Sequence, residues 1–308
     1  MGADFPFKIN MSMSPFYICA LKKAYLSRKG DITTIEAFIN RIDFLDARPL
    51  DVHGMSINPW LRLIMKGQNP SAEFLDNQMA LFEKGNRVEI ANGENPIRWV
   101  GSGALLILET KNRKKYAILN KRHPKYAWGG FFDANGGYSS SIVDMILPEK
   151  LGRRELEEEV VIFEKGQKLP LKKMDLQIIR PKHQAEAVVH FEGQMFNTKD
   201  LILIIDSKTA TVDFRQIFEA KIETLENLIF VDGEERFTNK RDKVFQNRPM
   251  LLFDLDDLKS STVNPALKIT PVKGFIGGRE INDTENSQYE LNQKLITPTL
   301  REILRSTN

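Results

Sequence analysis

Cysteine is nearly missing from this chain of 308 residues, where Cys19 stands alone. That excludes an internal disulfide and any zinc site built on several thiolates, and it fits a reducing, cytoplasmic setting. Histidine is scarce too, with four in the sequence. Neither His183 nor His190 has a His or Cys partner at metal-ligand spacing, so both are expected to be structural. No apolar run reaches membrane-spanning length. A surplus of charge is also lacking: 44 Lys and Arg stand against 41 Asp and Glu, for a net charge of +3. That balance argues against an extended nucleic-acid surface or a polybasic membrane anchor, while leaving room for a local basic rim around a phosphate site. There is no internal repeat and no low-complexity tract. The segment Lys273 to Arg279 lacks both the lysine-serine ending of a P-loop and the spacing of a dinucleotide loop, so it is expected to be an ordinary loop. Met11 to Leu21 is apolar, but Pro15, two serines and the preceding Asp4 break the pattern of a signal core. The N-terminus is expected to belong to the fold.

What is present begins with a hydrophobic content of 42%, enough to bury a full core in one large domain or two small ones. The most telling segment is Arg154-Glu155-Leu156-Glu157-Glu158-Glu159. Pro148 is acceptable in a first helical turn, and Leu151, Leu156 and Val160 recur at spacings that make an apolar stripe. On such a helix Glu155, Glu158 and Glu159 fall toward one side, and oxygen-rich clusters of that kind suit Mg²⁺ or Mn²⁺. Arg154 can pair with the acids or reach a phosphate as a planar fork. An exposed, solvated acidic helix is the other reading of the hexapeptide alone.

The upstream order matters. Trp99 to Leu108 has the pattern of a buried strand, and Lys115 to Arg122 that of its partner across a basic turn, the simplest link being a hairpin. Trp128-Gly129-Gly130-Phe131-Phe132-Asp133-Ala134-Asn135-Gly136-Gly137 then ends in paired glycines, and the acidic helix follows. Strand, strand, Gly-Gly loop and an Arg-Glu-Leu-x-Glu-Glu helix together resemble the Nudix hydrolase family. The second half of that family's box matches at Arg154, Glu155, Leu156, Glu158, Glu159 and Ile162. Val161 stands where the box has Gly, and the spacer between Gly137 and Arg154 is longer than the pattern's. Counted from either end, the box's first glutamate falls on Ile146 or Val143, with Asp144 and Glu149 nearby.

The resemblance implies metal-dependent hydrolysis of a diphosphate bond in a nucleoside diphosphate derivative, with Mg²⁺ or Mn²⁺ as cofactor. It makes Glu158 and Glu159 metal ligands, Glu155 a ligand or general base, and Arg154 the residue that orients the glutamates. Gly136 and Gly137 could let the backbone approach a phosphate, although paired glycines after an Asn also make a plain turn. Arg122, with Lys121 and His123, either faces the diphosphate or ends a solvated strand. Trp128 either stacks on a base or fills core. The departures at Val161 and in the spacer motivate a second expectation, a catalytically impaired module that binds a nucleotide or a protein partner.

The fold expected is α+β, in three regions. Residues 1–95 should be mainly helical, since Thr33 and Glu36 form a capping box ahead of Ile35, Phe38, Ile39, Ile42 and Phe44, and a second periodic segment surrounds Phe74 to Phe82. This region could supply a homodimer contact, a lid or a partner-docking surface. Residues 96–265 should form a Nudix-like mixed β-sheet between helices, with further strands at Ala187 to Phe191, Leu201 to Ile205 and Pro249 to Phe253. Asp254, Asp256 and Asp257 should mark a strand end passing into a turn or cap. Residues 266–308 should pack on that domain and contain helix, interrupted at Pro298. Glu186, Glu192, Glu234 and Glu280 are later acids that could add a base.

Overall fold

The computed structural model describes residues 17–29, 32–43, 88–91, 98–122, 129–138, 148–166, 175–181, 186–191, 193–197, 200–206, 211–233 and 248–307. The first strands are β1 (Tyr17–Lys29), β2 (Ile32–Asp43) and β3 (Val88–Ala91). They correct the expectation of a helical N-terminal region wherever that region is described. Thr33 and Glu36 are not at a helix start: both lie inside β2, which pairs with β1 from Ile32 opposite Lys29 to Asp43 opposite Tyr17. The spacing of Ile35, Phe38, Ile39 and Ile42 fits a helix, but Ile32, Thr33, Thr34 and Ile35 are β-branched, and a long partner strand supplies the hydrogen bonds. The segment around Phe74 to Phe82 lies outside the described residues.

β4 (Arg98–Thr110) is the spine of the molecule. Ala104 to Leu108 are each at most 2% exposed, a continuous apolar run that a strand can bury only with both faces covered. A turn through Arg113, which adopts φ 62°, leads to β5 (Lys115–Lys121), and the two strands pair as the expected hairpin. β6 (Phe132–Asp133) continues along β5, while β7 (Asn135–Tyr138) pairs with the first half of β4. The Gly136-Gly137 segment is therefore a strand, where a loop was expected: Gly136 lies opposite Gly103 and Gly137 opposite Ser102. Helix α1 (Pro148–Glu159) follows, then β8 (Val160–Glu164).

The remaining strands of the middle region are β9 (Gln177–Ile178), β10 (Glu186–Phe191), β11 (Gln194–Asn197), β12 (Ile202–Asp206), β13 (Thr211–Ile222) and β14 (Leu228–Asp232). β13 runs parallel to β4 from Val212 to Ile222, and β10 runs parallel to β2, so the sheet is mixed. β8 and β14 form their own antiparallel pair. β15 (Met250–Asp254) pairs with β5 and leads straight into α2 (Leu255–Val263). Asp254 caps α2 by accepting from the backbone N–H groups of Asp256 and Asp257, which accounts for that acidic cluster.

β16 (Lys273–Ile276) and β17 (Arg279–Glu280) form a hairpin across Gly277 and Gly278, both with positive φ. The expected loop is thus two short strands with a glycine turn, because only glycine takes that backbone without strain. α3 (Pro298–Arg305) closes the chain. Pro298 opens this helix and does not interrupt one, since a first-turn residue has no intrahelical use for an N–H.

Two apolar layers cover the sheet. On one face Leu105, Ile107, Leu119, Ile217, Leu251 and Phe253 pack with Leu258 of α2 and Leu300, Ile303 and Leu304 of α3. On the other, Leu106, Leu108, Ile118, Phe218, Met250 and Leu252 pack with Leu156 of α1 and with Ile162, Leu228 and Phe230 of the β8–β14 pair. The protein is α+β, a mixed sheet between helices. Among the described residues no helix is long and apolar enough to cross a membrane.

Candidate functional site

Helix α1 approaches the sheet closely because position 152 is glycine. Its N–H donates to Gln216 Oε1 of β13 at 2.9 Å, and a Cβ there would lie 2.5 Å from that oxygen and 3.0 Å from the carbonyl oxygen of Gly103. Leu156 anchors the next turn in the core. The residues flanking it, Glu155 and Glu159, are consequently on the sheet side, 7% and 4% exposed, whereas Glu157 and Glu158 face solvent. Of the three glutamates expected to converge, the structure brings two onto the buried face. Arg154 ties the third to Glu155, donating to Glu155 at 2.8 Å and to Glu158 at 3.2 and 3.4 Å.

Glu159 is held from three directions. One carboxylate oxygen accepts the backbone N–H of Gly136 at 3.0 Å, and the other lies 3.6 Å from Nη2 of Arg248. Its own carbonyl accepts the N–H of Gly233 at 2.8 Å. Gly233 has to be glycine, because a Cβ would sit 1.8 Å from the carbonyl oxygen of Glu158. Val161, at the box's glycine position, belongs to β8 and pairs with Val231. The close approach at the end of the glutamate helix is thus made by Gly233, just past the end of β14.

Arg248 also donates through Nε to Asp232, which is 1% exposed. Neither residue was singled out from the sequence. The available signal was Asp232 closing the apolar run Leu228 to Val231 just ahead of Gly233. Two buried carboxylates, Glu159 and Asp232, thereby share one guanidinium, the arrangement that buried acids of like charge require.

The glycine strand lies beside a second buried polar group. Arg215 of β13, 5% exposed, donates from Nη1 to the carbonyl oxygen of Asn135 at 2.8 Å and from Nη2 to Asp213 at 3.3 Å. Asn120 donates its side-chain amide to that of Asn135. Ser102 Oγ, Asn120 Oδ1, Asn135 Nδ2 and Gln216 Nε2 are buried polar atoms with no hydrogen-bond partner among the described residues. The strand register puts these four side chains on the sheet face that α1 covers, since Asn135 and Gln216 lie on either side of Ala104.

The other expected residues fall as follows. Arg122 donates to Asp133 at 2.7 Å, and Asp133 also accepts from Thr297 Oγ1 at 2.9 Å, so Arg122 is bound at the end of β5. Trp128, His183, Ile146, Val143, Asp144, Glu192 and Glu234 lie outside the described residues. Glu280 pairs with Lys165 and Lys273 at 3.1 Å each, in the β16–β17 hairpin. His190 stacks on Phe38 with ring centroids 4.2 Å apart and lies 2.7 Å from Glu36, a contact between β10 and β2. Among the described residues, no three His, Cys, Asp or Glu side chains come together as a metal-holding group.

No protein-family model matches the chain, and no curated protein sequence does. Among solved structures it is similar to the crystal structure of a Nudix hydrolase from M. smegmatis, RenU, at 16% identity over 46% of this chain and 77% of that one, with a TM-score of 0.26. It is also similar to a bifunctional NMN adenylyltransferase/ADP ribose pyrophosphatase from Francisella tularensis complexed with AMP and Mn ion, at 12% identity, 52% of this chain and a TM-score of 0.24. That match spans 38% of the bifunctional protein's length. A third, the NUDIX domain of Shewanella oneidensis NrtR complexed with ADP ribose, shares 11% identity over 55% of this chain and 87% of that one, with a TM-score of 0.19.

Proposed function

We propose that this chain catalyses the metal-dependent hydrolysis of a diphosphate bond in a nucleoside diphosphate derivative, the reaction of the Nudix hydrolases that its glutamate motif resembles. The observation that carries this reading is the buried carboxylate of Glu159 bound to the N–H of Gly136, with Glu155 one turn away on the same face. A small hard cation that keeps part of its water shell, and takes its remaining oxygens from substrate phosphates, needs only one or two protein carboxylates. The donor set fits Mg²⁺ or Mn²⁺ on that basis. Glu155 and Glu159 would hold the ion, while Glu158 faces solvent and stays paired with Arg154. When bound, such a cation screens diphosphate oxygens and makes a coordinated water more acidic.

The chain's own residues do the rest. Arg154 bridges Glu155 and Glu158, fixing their rotamers. Glu155, the more buried of that pair, serves as ligand or general base. Gly137 presents backbone without a side chain, so a phosphate can come close to the strand there, whereas the space over Gly136 is taken by Arg215. Arg122 offers a cationic edge at the end of β5.

A second reading, a nucleotide- or protein-binding module without turnover, is favoured by Arg248, whose guanidinium already neutralises Glu159 and Asp232. The two readings part on one experiment. Purified protein with Mg²⁺ or Mn²⁺ should release a nucleoside monophosphate from at least one member of a panel of nucleoside diphosphate derivatives, and Glu159→Gln should cut that rate by roughly a hundredfold. Stabilisation against heat by a nucleotide without metal, with no product formed, would decide for the binding module.

A further inference from the structure

A buried arginine in the middle of a sheet is expensive, since desolvation of its charge is offset only by good partners. Arg215 sits in β13 next to Phe214 and two residues before Ile217, both buried. Two glycines make its place. A Cβ at Gly103 would lie 2.1 Å from Arg215 Nη1, and one at Gly136 would lie 2.2 Å from the same atom. The guanidinium therefore crosses β4 and β7 at the Gly103–Gly136 pair, where any side chain would exclude it. Beyond that window it meets the carbonyl oxygen of Asn135 at 2.8 Å.

That carbonyl belongs to the same peptide unit as the N–H of Gly136, which donates to Glu159 at 3.0 Å. In a trans peptide the C=O and the following N–H point in opposite directions. One rigid plane thus has a buried cation on its oxygen and a buried carboxylate on its hydrogen. Charge on each end polarises the unit and strengthens the bond at the other. Behind Arg215 the chain of contacts continues to Asp213 at 3.3 Å, and from Asp213 to Thr299 of α3 at 3.3 Å.

We propose that Arg215 is a positioning residue for Glu159, acting through the Asn135–Gly136 peptide, and that α3 braces it through Thr299 and Asp213. The peptide relay stands on the geometry of the protein itself. Its consequence for metal binding rests on the function proposed above.

The test is amide hydrogen exchange in the metal-free, full-length protein, followed residue by residue by NMR, together with a Mn²⁺ titration of the same samples. Arg215→Lys keeps the charge but loses the fork. It should speed exchange at Gly136 by roughly tenfold, the loss of one charge-assisted hydrogen bond, while amides of β5 keep their rates. On a Glu159→Gln background the same substitution should have little further effect at Gly136, a non-additivity that general loosening would not produce. Thr299→Val, the milder change, should speed Gly136 exchange by roughly threefold, and serves if Arg215→Lys does not fold. Unchanged exchange at Gly136 in either folded variant overturns the proposal. Mn²⁺ affinity should fall by roughly tenfold in Arg215→Lys. Wild-type protein that binds no Mn²⁺, yet shows the Gly136 effects, would overturn the hydrolase reading and leave the relay standing.

Discussion

Gly136 meets two demands at once: its N–H holds Glu159, and its missing side chain admits Arg215. Gly136→Ala should therefore cost about 1–3 kcal/mol by overpacking alone, because a Cβ would also lie 2.5 Å from the carbonyl oxygen of Ser102, measured by urea unfolding of the two proteins. A loss below a few tenths would mean that the strands yield easily there. Glu285 makes a second prediction, at the surface. Its side chain accepts two bonds from Arg279 and one from the N–H of Asn282, and these hold its pKa at about 2, below the ordinary 4.5. A carboxyl depressed in the folded state adds stability above its unfolded pKa and loses it as pH falls through the folded value. The contribution should vanish between about pH 4.5 and 2, and Glu285→Gln should flatten the wild-type fall in melting temperature across that window. The gain is small, because the group is exposed. At this scale the sequence showed Arg154 and the glutamates, whose identity and spacing are local. It could not show Asp232, Arg248 or Arg215, which reach the glutamates or the glycine strand only through tertiary pairing of β13, β14 and β15.

Among the elements, those with strong patterns were legible. β4 and β5 lie where continuous apolar runs put them, as do β10, β12 and β15, within a residue or two. Signals that serve two purposes misled. The spacing around Ile35 suits a helix face as well as a strand, and Thr33 and Glu36 imitate a cap, so only the partner strand β1 decides the case. Pro298 reads as a breaker until Thr297 is seen to cap the helix that Pro298 begins. The Thr297 side chain accepts from the N–H of Leu300 at 3.1 Å and donates to Asp133 at 2.9 Å, and it is 1% exposed. Thr297→Ala should cost about 1–3 kcal/mol, combining a lost cap with a carboxylate deprived of a donor, as read from denaturant midpoints. A change under half of that would show that Arg122 and the N–H of Ala134 satisfy Asp133 without Thr297.

Across the whole molecule, the sheet separates two polar systems that meet at one strand. The α1 face carries the glutamates over a floor of Ser102, Asn120, Asn135 and Gln216. The α3 face carries Asp213 and Thr299, and Arg215 passes from that side toward β7. The two apolar clusters on either side keep these groups dry, so that each polar contact acts at low dielectric. Residues 266–307 complete the cluster on the α3 face through Ile281, Leu291, Ile296 and α3, which ties the end of the described chain to β4, β5 and β15.

The central claim is that Glu155 and Glu159 hold a divalent cation for diphosphate hydrolysis, and ³¹P NMR of a nucleotide panel incubated with the protein and Mn²⁺ tests it most directly. The account predicts a nucleoside monophosphate from one or more substrates with wild type, and its loss by roughly a hundredfold in Glu159→Gln. Equal turnover by wild type and Glu159→Gln, or intact substrates throughout with no effect of Mn²⁺ on the protein, would contradict it.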